Sequence, residues 1–374
     1  MFLLSGYIGD YIYLTIHTRG GRLKVLVQTY DTAFQNVAGG VHNRIVRTVD
    51  AIRKTGCIVD YFDQFHTVAD QYDILHVFKL DVSNLGLMQY ARSRGMKIVL
   101  SAIQGLDNGR NIDVYWALRK LPIMTTYKLL FRMCELADVI VTETKNEAEF
   151  ISKHYHVNAN KIIVIPNGAD MIGTNSRAIF DSLGKDCQYV LEVARFDKNK
   201  NQISVIKALK DTDIEVVFAG GPDFADHGYY EECLKLAKDS PNIHFLGWLD
   251  SQSELLKSAY GNAKVLIAPS FYETFGLSII EGAMAGAVPV ISNTLPILGY
   301  AALQNCLTCD PNKPEDIRLK IEAAMDSDNS DEFRERIQRE FSWNSVAQQH
   351  LDLYRGLLDG TDKKNKVIIP NHRS

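Results

Sequence analysis

The sequence lacks the features that identify several common classes of enzyme and membrane protein. It contains no run of 18 apolar residues, so it predicts no membrane-spanning helix. It contains neither the G-x-G-x-x-G pattern of dinucleotide-binding proteins nor the G-x-x-x-x-G-K-[ST] pattern of P-loop proteins. It also has no Asp-x-Asp cluster at the end of a predicted strand, where a divalent metal would bind. These absences argue against an NAD-dependent enzyme and a P-loop kinase.

The spacing of the cysteines argues against a zinc site, and the net charge argues against a nucleic-acid-binding surface. Of the six cysteines, only Cys306 and Cys309 form a C-x-x-C pair, and no second pair completes a zinc site. Ordinary reduced core thiols and a cytoplasmic location are expected. The net charge is -4, which does not indicate a nucleic-acid partner. The charge is uneven: residues 1–172 carry 19 Lys and Arg against 16 Asp and Glu, whereas the remainder carries 22 against 29.

What the sequence does contain is an alternation of short β-rich runs and helical patterns, in two series. The first series begins at "KVLVQTY" and ends at "KIIVIPNGAD", and the second runs from "YVLEVARF" to "VPVIS". Such alternation predicts parallel sheets covered on both faces, here two doubly wound α/β domains in tandem with a ligand cleft between them. The first 21 residues lack the basic region of a signal peptide, and "YIYLTI" is predicted to add a strand.

Two cations follow the first strand of the second series. Arg195 lies just beyond the predicted carboxyl end of that strand, and Lys200 lies near the start of the next helix. Cations at such a position, beside the backbone N–H groups of a helix start, would suit a diphosphate. A solvated loop is the alternative interpretation of the same pair.

Two carboxylates stand in an otherwise apolar stretch, "FYETFGLSIIEGAMAGAVPVIS". Glu273 is predicted in the loop after a strand, and Glu281 about one turn into the following helix. The amides of Phe275, Gly276 and Leu277 would lie at the positive end of that helix and favour an anion. Carboxylates accept hydrogen bonds well from sugar hydroxyls, and an unpaired buried charge is costly, so a binding function is favoured over a structural one.

A pair of glycines, Gly39 and Gly40, occupies the first strand-to-helix loop. Glycine allows the backbone to approach a ligand closely, although glycine is also common in ordinary turns.

Together these motifs resemble the retaining glycosyltransferases of family four, which have the GT-B fold. The most specific part is "PSFYETFGLSIIEGAMAGAVPVIS", and "VARFDKNKNQ", "AGGP", "FLGWLD" and "AGGVHN" occur in the family's order. "FSWNSVAQQHLDLYRGLL" resembles the family's C-terminal helix. The resemblance implies an acceptor-side domain at residues 1–172 and a donor domain at residues 173–344, with a helix at residues 345–374 packing back on the first domain.

The resemblance also implies roles for individual residues. The donor would be a nucleotide-diphosphate sugar whose diphosphate is held by Arg195 and Lys200 and whose ribose hydroxyls are bound by Glu281. The remaining implied donor contacts are Glu273, Thr274, Phe275, Gly276 and Leu277 for the sugar and its phosphate, Gly247 and Trp248 for the base, and Gly39 and Gly40 for the diphosphate. Glu273, Arg195 and Lys200 are the implied catalytic group, and no metal or other cofactor is expected.

One position departs from the family's pattern. Relatives often carry a His after the strand equivalent to "KIVLSAIQG", whereas this sequence has Gln104 there. Glutamine can bind a hydroxyl but cannot titrate, so an acid–base function at this acceptor-side position is in doubt. The resemblance favours UDP over GDP as the nucleotide and a glycan or lipid-linked glycan as acceptor. A nucleotide-sugar epimerase and a catalytically silent subunit of the same fold are the alternatives.

A basic stretch in the first domain suggests where the acceptor is met. Residues 91–132 carry eight Lys and Arg against two acids, and "VYWALRKLPIMTTYKLLFRM" interleaves some of these bases with aromatic and aliphatic residues. This composition suits peripheral contact with an anionic membrane on its inner face. The alternative is an amphipathic helix whose apolar side faces the core.

Overall fold

The computed structural model describes residues 22–35, 40–103, 109–223 and 227–360. The predicted strand "YIYLTI", the residues Gly39 and Gln104, and the part of the predicted C-terminal helix that follows residue 360 lie outside these ranges. Within them the chain forms two parallel sheets of six strands each, which confirms the predicted pair of doubly wound α/β domains.

The N-terminal domain alternates strands and helices as its hydrophobic pattern predicts. Its elements are β1 (Lys24–Gln28), α1 (Gly40–Lys54), β2 (Ile58–Tyr61), β3 (Ile74–Phe78), α2 (Leu85–Ser93), β4 (Lys97–Ser101), α3 (Gly109–Ala117), α4 (Thr126–Leu136), β5 (Val139–Thr142), α5 (Lys145–His154) and β6 (Ile162–Val164). The sheet order is β2-β1-β3-β4-β5-β6, and every pairing is parallel. Strand β2, at the sheet edge, has no counterpart in the sequence interpretation; only Val59 of its four residues is buried.

The C-terminal domain repeats this construction. Its elements are α6 (Ala178–Leu183), β7 (Tyr189–Val193), α7 (Gln202–Leu209), β8 (Glu215–Ala219), α8 (His227–Leu236), β9 (Ile243–Phe245), α9 (Glu254–Asn262), β10 (Val265–Ala268), α10 (Leu277–Ala285), β11 (Val288–Ser292), β12 (Leu307–Cys309), α11 (Pro314–Met325) and α12 (Asp331–Phe341). The sheet order is β9-β8-β7-β10-β11-β12, read from its other edge, with all pairs parallel.

The last described helix, α13 (Trp343–Asp359), belongs to the core of the N-terminal domain. Its apolar face packs with α1 against β1 and β3 through Leu351, Tyr354 and their neighbours. A buried polar cluster is part of the same contact: His76 on β3 bonds the Tyr354 hydroxyl through Nδ1 at 2.6 Å and the Ser101 hydroxyl through Nε2 at 2.8 Å.

The chain therefore crosses between the domains twice, and the two crossings lie side by side. The backbone N–H of Ala169 on the outgoing segment donates to the carbonyl of Phe341 on the returning one at 2.8 Å. Gly168 is required there, because a Cβ at this residue would lie 2.4 Å from the indole ring of Trp343. This close packing holds the two segments that connect the domains against each other.

Candidate active site

The topology of the C-terminal sheet determines which loops meet. The strand order reverses at β7, whose two neighbours are β8 and β10. In open α/β sheets, ligands bind beyond the carboxyl ends of the strands at such a switch point. Arg195 and Lys200 follow β7, whereas Glu273 follows β10. Residues more than 70 positions apart in the sequence are thereby brought to one place.

The central contact of this place is an ion pair between Lys200 and Glu273. The Lys200 ammonium donates to Glu273 Oε1, and both side chains are largely buried. The hydroxyl of Ser270 donates to the same carboxylate oxygen at 3.0 Å. The loops are joined at the backbone as well, since the N–H of Phe271 donates to the carbonyl of Asn199 at 2.9 Å. The lysine is thus held in one position with N–H donors to spare for an anion.

Asp197 organises the loop that carries both cations. Its Oδ1 accepts the backbone N–H of Lys200 at 3.0 Å, and its Oδ2 accepts Nη2 of Arg195 at 2.9 Å. Asp223 Oδ2 lies 3.0 Å from Nε of Arg195, and the guanidinium is half exposed. Arg195 is therefore orientated by two acids, neither of which the sequence patterns singled out.

A third acid, Glu192, lies beneath this loop on β7. Its side chain is 3% exposed, and its Oε2 has no hydrogen-bond partner within the described parts of the chain. Burial raises its pKa well above the usual value; the charge of Lys200 opposes the rise, and Glu273 and Asp197 reinforce it. Burial therefore favours the neutral form of Glu192, whereas the carboxylate that pairs directly with Lys200 is Glu273.

The helix α10 begins directly beyond the Glu273 loop. Gly276 has φ +92° at the N-cap, and none of the described side chains caps the first turn. Only glycine adopts this left-handed conformation readily. Phe275, which is buried, packs its ring on Tyr300 and Phe341, while Thr274 is exposed at the edge of the loop. The positive end of the α10 dipole therefore lies beside the Lys200–Glu273 pair.

Glu281 lies on α10, one turn further from the loop. Its Oε2 accepts the hydroxyl of Tyr260 at 2.9 Å. Burial raises the pKa of Glu281, and the negative charge of nearby Asp170 also raises it. The hydrogen bond from Tyr260 and the positive charge of Arg47 lower the pKa of Glu281. Arg47 belongs to α1 and pairs with Asp170 at 3.4 Å, so the N-terminal domain approaches Glu281 across the cleft.

The ends of β8 and β9 form the third side of the site. The N–H of Gly220 donates to the carbonyl of Gly247 at 2.9 Å, and Gly247 has φ +70°. The indole of Trp248 lies over Gly221, where a Cβ would come within 2.3 Å of it, and this indole is 55% exposed. An exposed aromatic ring beside bare glycine backbone offers a flat surface to a planar base.

The N-terminal side of the cleft is only partly described. Gly40 opens the described part of α1, while Gly39 and Gln104 lie outside the described residues. Two residues near this edge, Lys79 and Ile103, have positive φ angles of 76° and 45° without being glycine. A β-branched residue in this region is a conformational outlier, and such outliers concentrate at functional sites. These φ angles could not be predicted from the sequence, because they depend on tertiary packing.

Metal ligation is not suggested by the described residues, which contain no group of three or more His, Cys, Asp or Glu side chains arranged to hold an ion. All six cysteines are unpaired thiols, four of them buried. None of the helices in the described ranges is both long and apolar enough to cross a membrane.

Comparison with known proteins places this geometry in a family. Residues 14–171 match "Glycosyltransferase Family 4", and residues 175–340 match "Glycosyl transferases group 1". An uncharacterised glycosyltransferase of Methanocaldococcus jannaschii is 22% identical over 76% of this chain and 76% of its own length. The D-inositol 3-phosphate glycosyltransferase of Corynebacterium diphtheriae is 29% identical over 60% of this chain and 58% of its own length.

Solved structures show the same fold at low sequence identity. A sucrose-phosphate synthase from Thermosynechococcus elongatus superposes with a TM-score of 0.69 at 16% identity, covering 91% of this chain and 100% of that one. The Anabaena protein HepE in complex with UDP gives a TM-score of 0.70 at 13% identity, covering 89% of this chain and 100% of that one. The chain therefore belongs to the family-four glycosyltransferases of the GT-B fold, as the sequence motifs predicted.

Proposed function

We propose that this glycosyltransferase moves a sugar from a nucleotide-diphosphate sugar to a glycan or lipid-linked glycan, with retention of anomeric configuration and without a metal ion. The observation that carries the proposal is the Lys200–Glu273 pair at the β7–β10 switch point, with Arg195 beside it. It combines fixed cations with a fixed carboxylate, which are the groups that a diphosphate and a sugar require.

Lys200 and Arg195 would stabilise the negative charge that develops on the diphosphate as it leaves. Electrostatic stabilisation by groups fixed before the reaction is usually the largest contribution to catalysis. The pairing of Lys200 with Glu273, and of Arg195 with Asp197, fixes both cations in advance. The amides at the start of α10 would add to the same effect.

Glu273 and Glu281 would bind the two sugars of the donor. Glu273, at the loop, would accept from hydroxyls of the transferred sugar, and Glu281 would accept from the ribose. Trp248 and Gly247 would receive the base. UDP is the nucleotide that the solved relatives favour, since HepE structures are described as complexes with UDP and UDP-glucose.

Retention requires the acceptor hydroxyl to attack the anomeric carbon of the donor sugar on the face from which the diphosphate departs. The departing phosphate oxygen would take the proton of the acceptor hydroxyl, and the charge separated in this step would be held by Lys200 and Arg195. Glu273 is already engaged by Lys200 and by the Ser270 hydroxyl, which suits an orientating carboxylate better than a free nucleophile.

The acceptor would meet the cleft at the inner, cytoplasmic face of a membrane. The basic, aromatic-rich stretch of the N-terminal domain supports this location, and the unpaired thiols accord with a reducing compartment.

The reaction class can be tested by incubating the protein with UDP-sugars and GDP-sugars, with and without a lipid-linked glycan. We expect nucleotide release and glycan extension that depend on acceptor and survive EDTA, and NMR of the product should show the anomer of the donor. Isomerised donor without acceptor would instead identify an epimerase, and no turnover of any donor would identify a silent subunit. An inverted anomer, or activity lost with EDTA and restored by Mn²⁺, would contradict the proposed mechanism.

A further inference from the structure

The N-terminal domain carries an apolar surface that no described element covers. It lies at the end of α3 and in the turn that leads to α4, residues 114–124, here called the α3–α4 tip. Its exposed side chains are Val114, Tyr115, Leu118, Leu121, Ile123 and Met124. Ile123 is 60% exposed and Met124 is 76% exposed. Contiguous apolar patches are uncommon on soluble monomers and mark interaction surfaces. At the tip these apolar side chains therefore face outward, whereas in α4 the amphipathic alternative holds, since Phe131 and Met133 are buried and Arg132 is exposed.

The inward side of α3 is fixed, so the apolar side cannot simply rotate into the protein. Ile112 is buried, and Asp113 binds Nδ1 of His154 at 2.9 Å. Trp116 stacks on the ring of His156 with centroids 4.3 Å apart, and the Arg119 guanidinium lies 3.9 Å from the same indole. These contacts fix the orientation of α3 against the rest of the N-terminal domain.

The turn itself is also a built structure. Tyr115 stacks on Tyr127 with ring centroids 4.4 Å apart, which joins α3 to α4. The ammonium of Lys128 donates to the carbonyl of Leu121 and so holds the backbone of the turn. Leu121, Ile123 and Met124 are thus presented outward by fixed neighbours.

The charges around the tip identify its partner. Arg110 and Lys120 are exposed beside the apolar side chains, whereas the acid of this stretch, Asp113, is turned toward His154. Cations bordering aliphatic side chains match the headgroups and acyl boundary of an anionic bilayer. Arg119 and Lys128 are already bound to Trp116 and Leu121, so fewer bases remain for headgroups than the sequence predicted.

We propose that the α3–α4 tip inserts Leu121, Ile123 and Met124 into the acyl boundary of an anionic bilayer, with Arg110 and Lys120 at the headgroups. Helix α3 is the first helix described after β4, so insertion of the tip would hold the acceptor-side domain at the membrane. The inference rests on the proposed function only where it concerns a lipid-linked acceptor. The attraction between the α3–α4 tip and the bilayer would be mainly hydrophobic, in contrast to adsorption by surface bases alone.

Co-sedimentation with vesicles of equal parts phosphatidylglycerol and phosphatidylcholine tests the insertion. The wild type is expected to bind, and about half of the bound fraction should persist at ~1 M NaCl, where the Debye length is ~3 Å. Ile123→Glu/Met124→Glu should weaken binding at least tenfold. The matched control is Val68→Glu/Leu319→Glu, which introduces the same charge at residues that are 55% and 59% exposed elsewhere, and it should bind like wild type.

A tryptophan added at the tip reports depth when it is compared with the three native tryptophans of the wild type. The emission that Ile123→Trp adds to that of the wild type should shift to the blue on vesicle binding and be quenched by brominated lipid, whereas the emission added by Val68→Trp should respond to neither. Absence of wild-type binding, loss of all binding at high salt, or equal binding by the tip variant would overturn the proposal. A wild-type dimer that the tip variant dissociates would also overturn it, because a second copy would then be the occupant. Donor turnover in solution is measured on the same variants. Turnover without membrane binding would contradict only the insertion, whereas absence of turnover would contradict the proposed function.

Discussion

The two edges that face the cleft are built in different ways, although both belong to parallel doubly wound sheets. The edge of the C-terminal domain holds paired charges: Lys200 with Glu273, both largely buried, and the half-exposed Arg195 with Asp197. The edge of the N-terminal domain, where described, holds non-glycine residues at positive φ, Lys79 and Ile103, and leads to an exposed apolar tip. The comparison suggests that donor binding depends on charges fixed in advance, whereas the acceptor side is organised by backbone shape and by a surface outside the cleft.

The largest expected effect comes from removing the central cation of the charged edge. Lys200→Ala should lower kcat/KM by about 10- to 150-fold, because one charge-assisted contact worth roughly 1.5–3 kcal/mol is lost in the transition state. Steady-state kinetics with the preferred donor measures this. Lys264→Ala is the matched control, since Lys264 pairs with exposed Asp328 at the start of β10 and away from the cleft. An unchanged kcat/KM in a folded Lys200→Ala variant would contradict the proposal that Lys200 binds the diphosphate.

The junction between the two domains provides the next test. Gly168→Ala should destabilise the protein by about 1–3 kcal/mol, since its Cβ would overlap the ring of Trp343. Chemical denaturation measures the free energy of unfolding. Gly86→Ala is the control, because Gly86 lies in α2 with nothing within 4 Å of a Cβ, and it should be neutral or slightly stabilising. Equal effects of the two substitutions would show that the crossing is less tightly packed than described.

Acidification should affect the N-terminal domain in particular. Burial lowers the pKa of His350 to about 4 and that of His76 well below its usual value. The unfolded chain therefore binds more protons than the folded one below pH ~6.5, and the free energy of unfolding should fall as pH drops from there toward ~4. The slope is up to ~1.4 kcal/mol per pH unit for each histidine.

Urea midpoints measured between pH 7 and pH 5 test this dependence. His350→Gln should flatten the slope, and His227→Gln, at an exposed residue, is the matched control. A slope that does not change in His350→Gln would mean that groups other than His350 cause the acid sensitivity.

The smallest expected effect concerns the base-binding surface. Trp248→Ala should raise the KM for the donor a few-fold, about 0.5–1 kcal/mol, with little change in kcat, because an exposed ring contributes equally to ground-state and transition-state binding. Initial rates over a range of donor concentrations measure this. Phe271→Ala, at a 43% exposed residue that follows β10, tests whether any exposed ring on this edge has the same effect.

The sequence by itself determined the fold class, the family and most element positions. The helix predicted to follow the Glu273 loop is α10 (Leu277–Ala285), because an apolar strand, a glycine and a helical repeat are each local signals. The short edge strands β2 and β12 were not recovered; each has a single buried residue and so leaves little hydrophobic signal in the sequence.

Tertiary structure alone decided which groups meet and which face outward. Ser270 and Glu273 reach Lys200 only because the strand order places β10 beside β7, and Asp223 reaches Arg195 because β8 lies on the other side of β7. Similarly, "VYWALRKLPIM" has an amphipathic pattern, but which side is buried depends on His154 and His156, more than 30 positions away. Local sequence encodes the period of a helix, whereas the direction of its faces is set by the contacts that the rest of the chain provides.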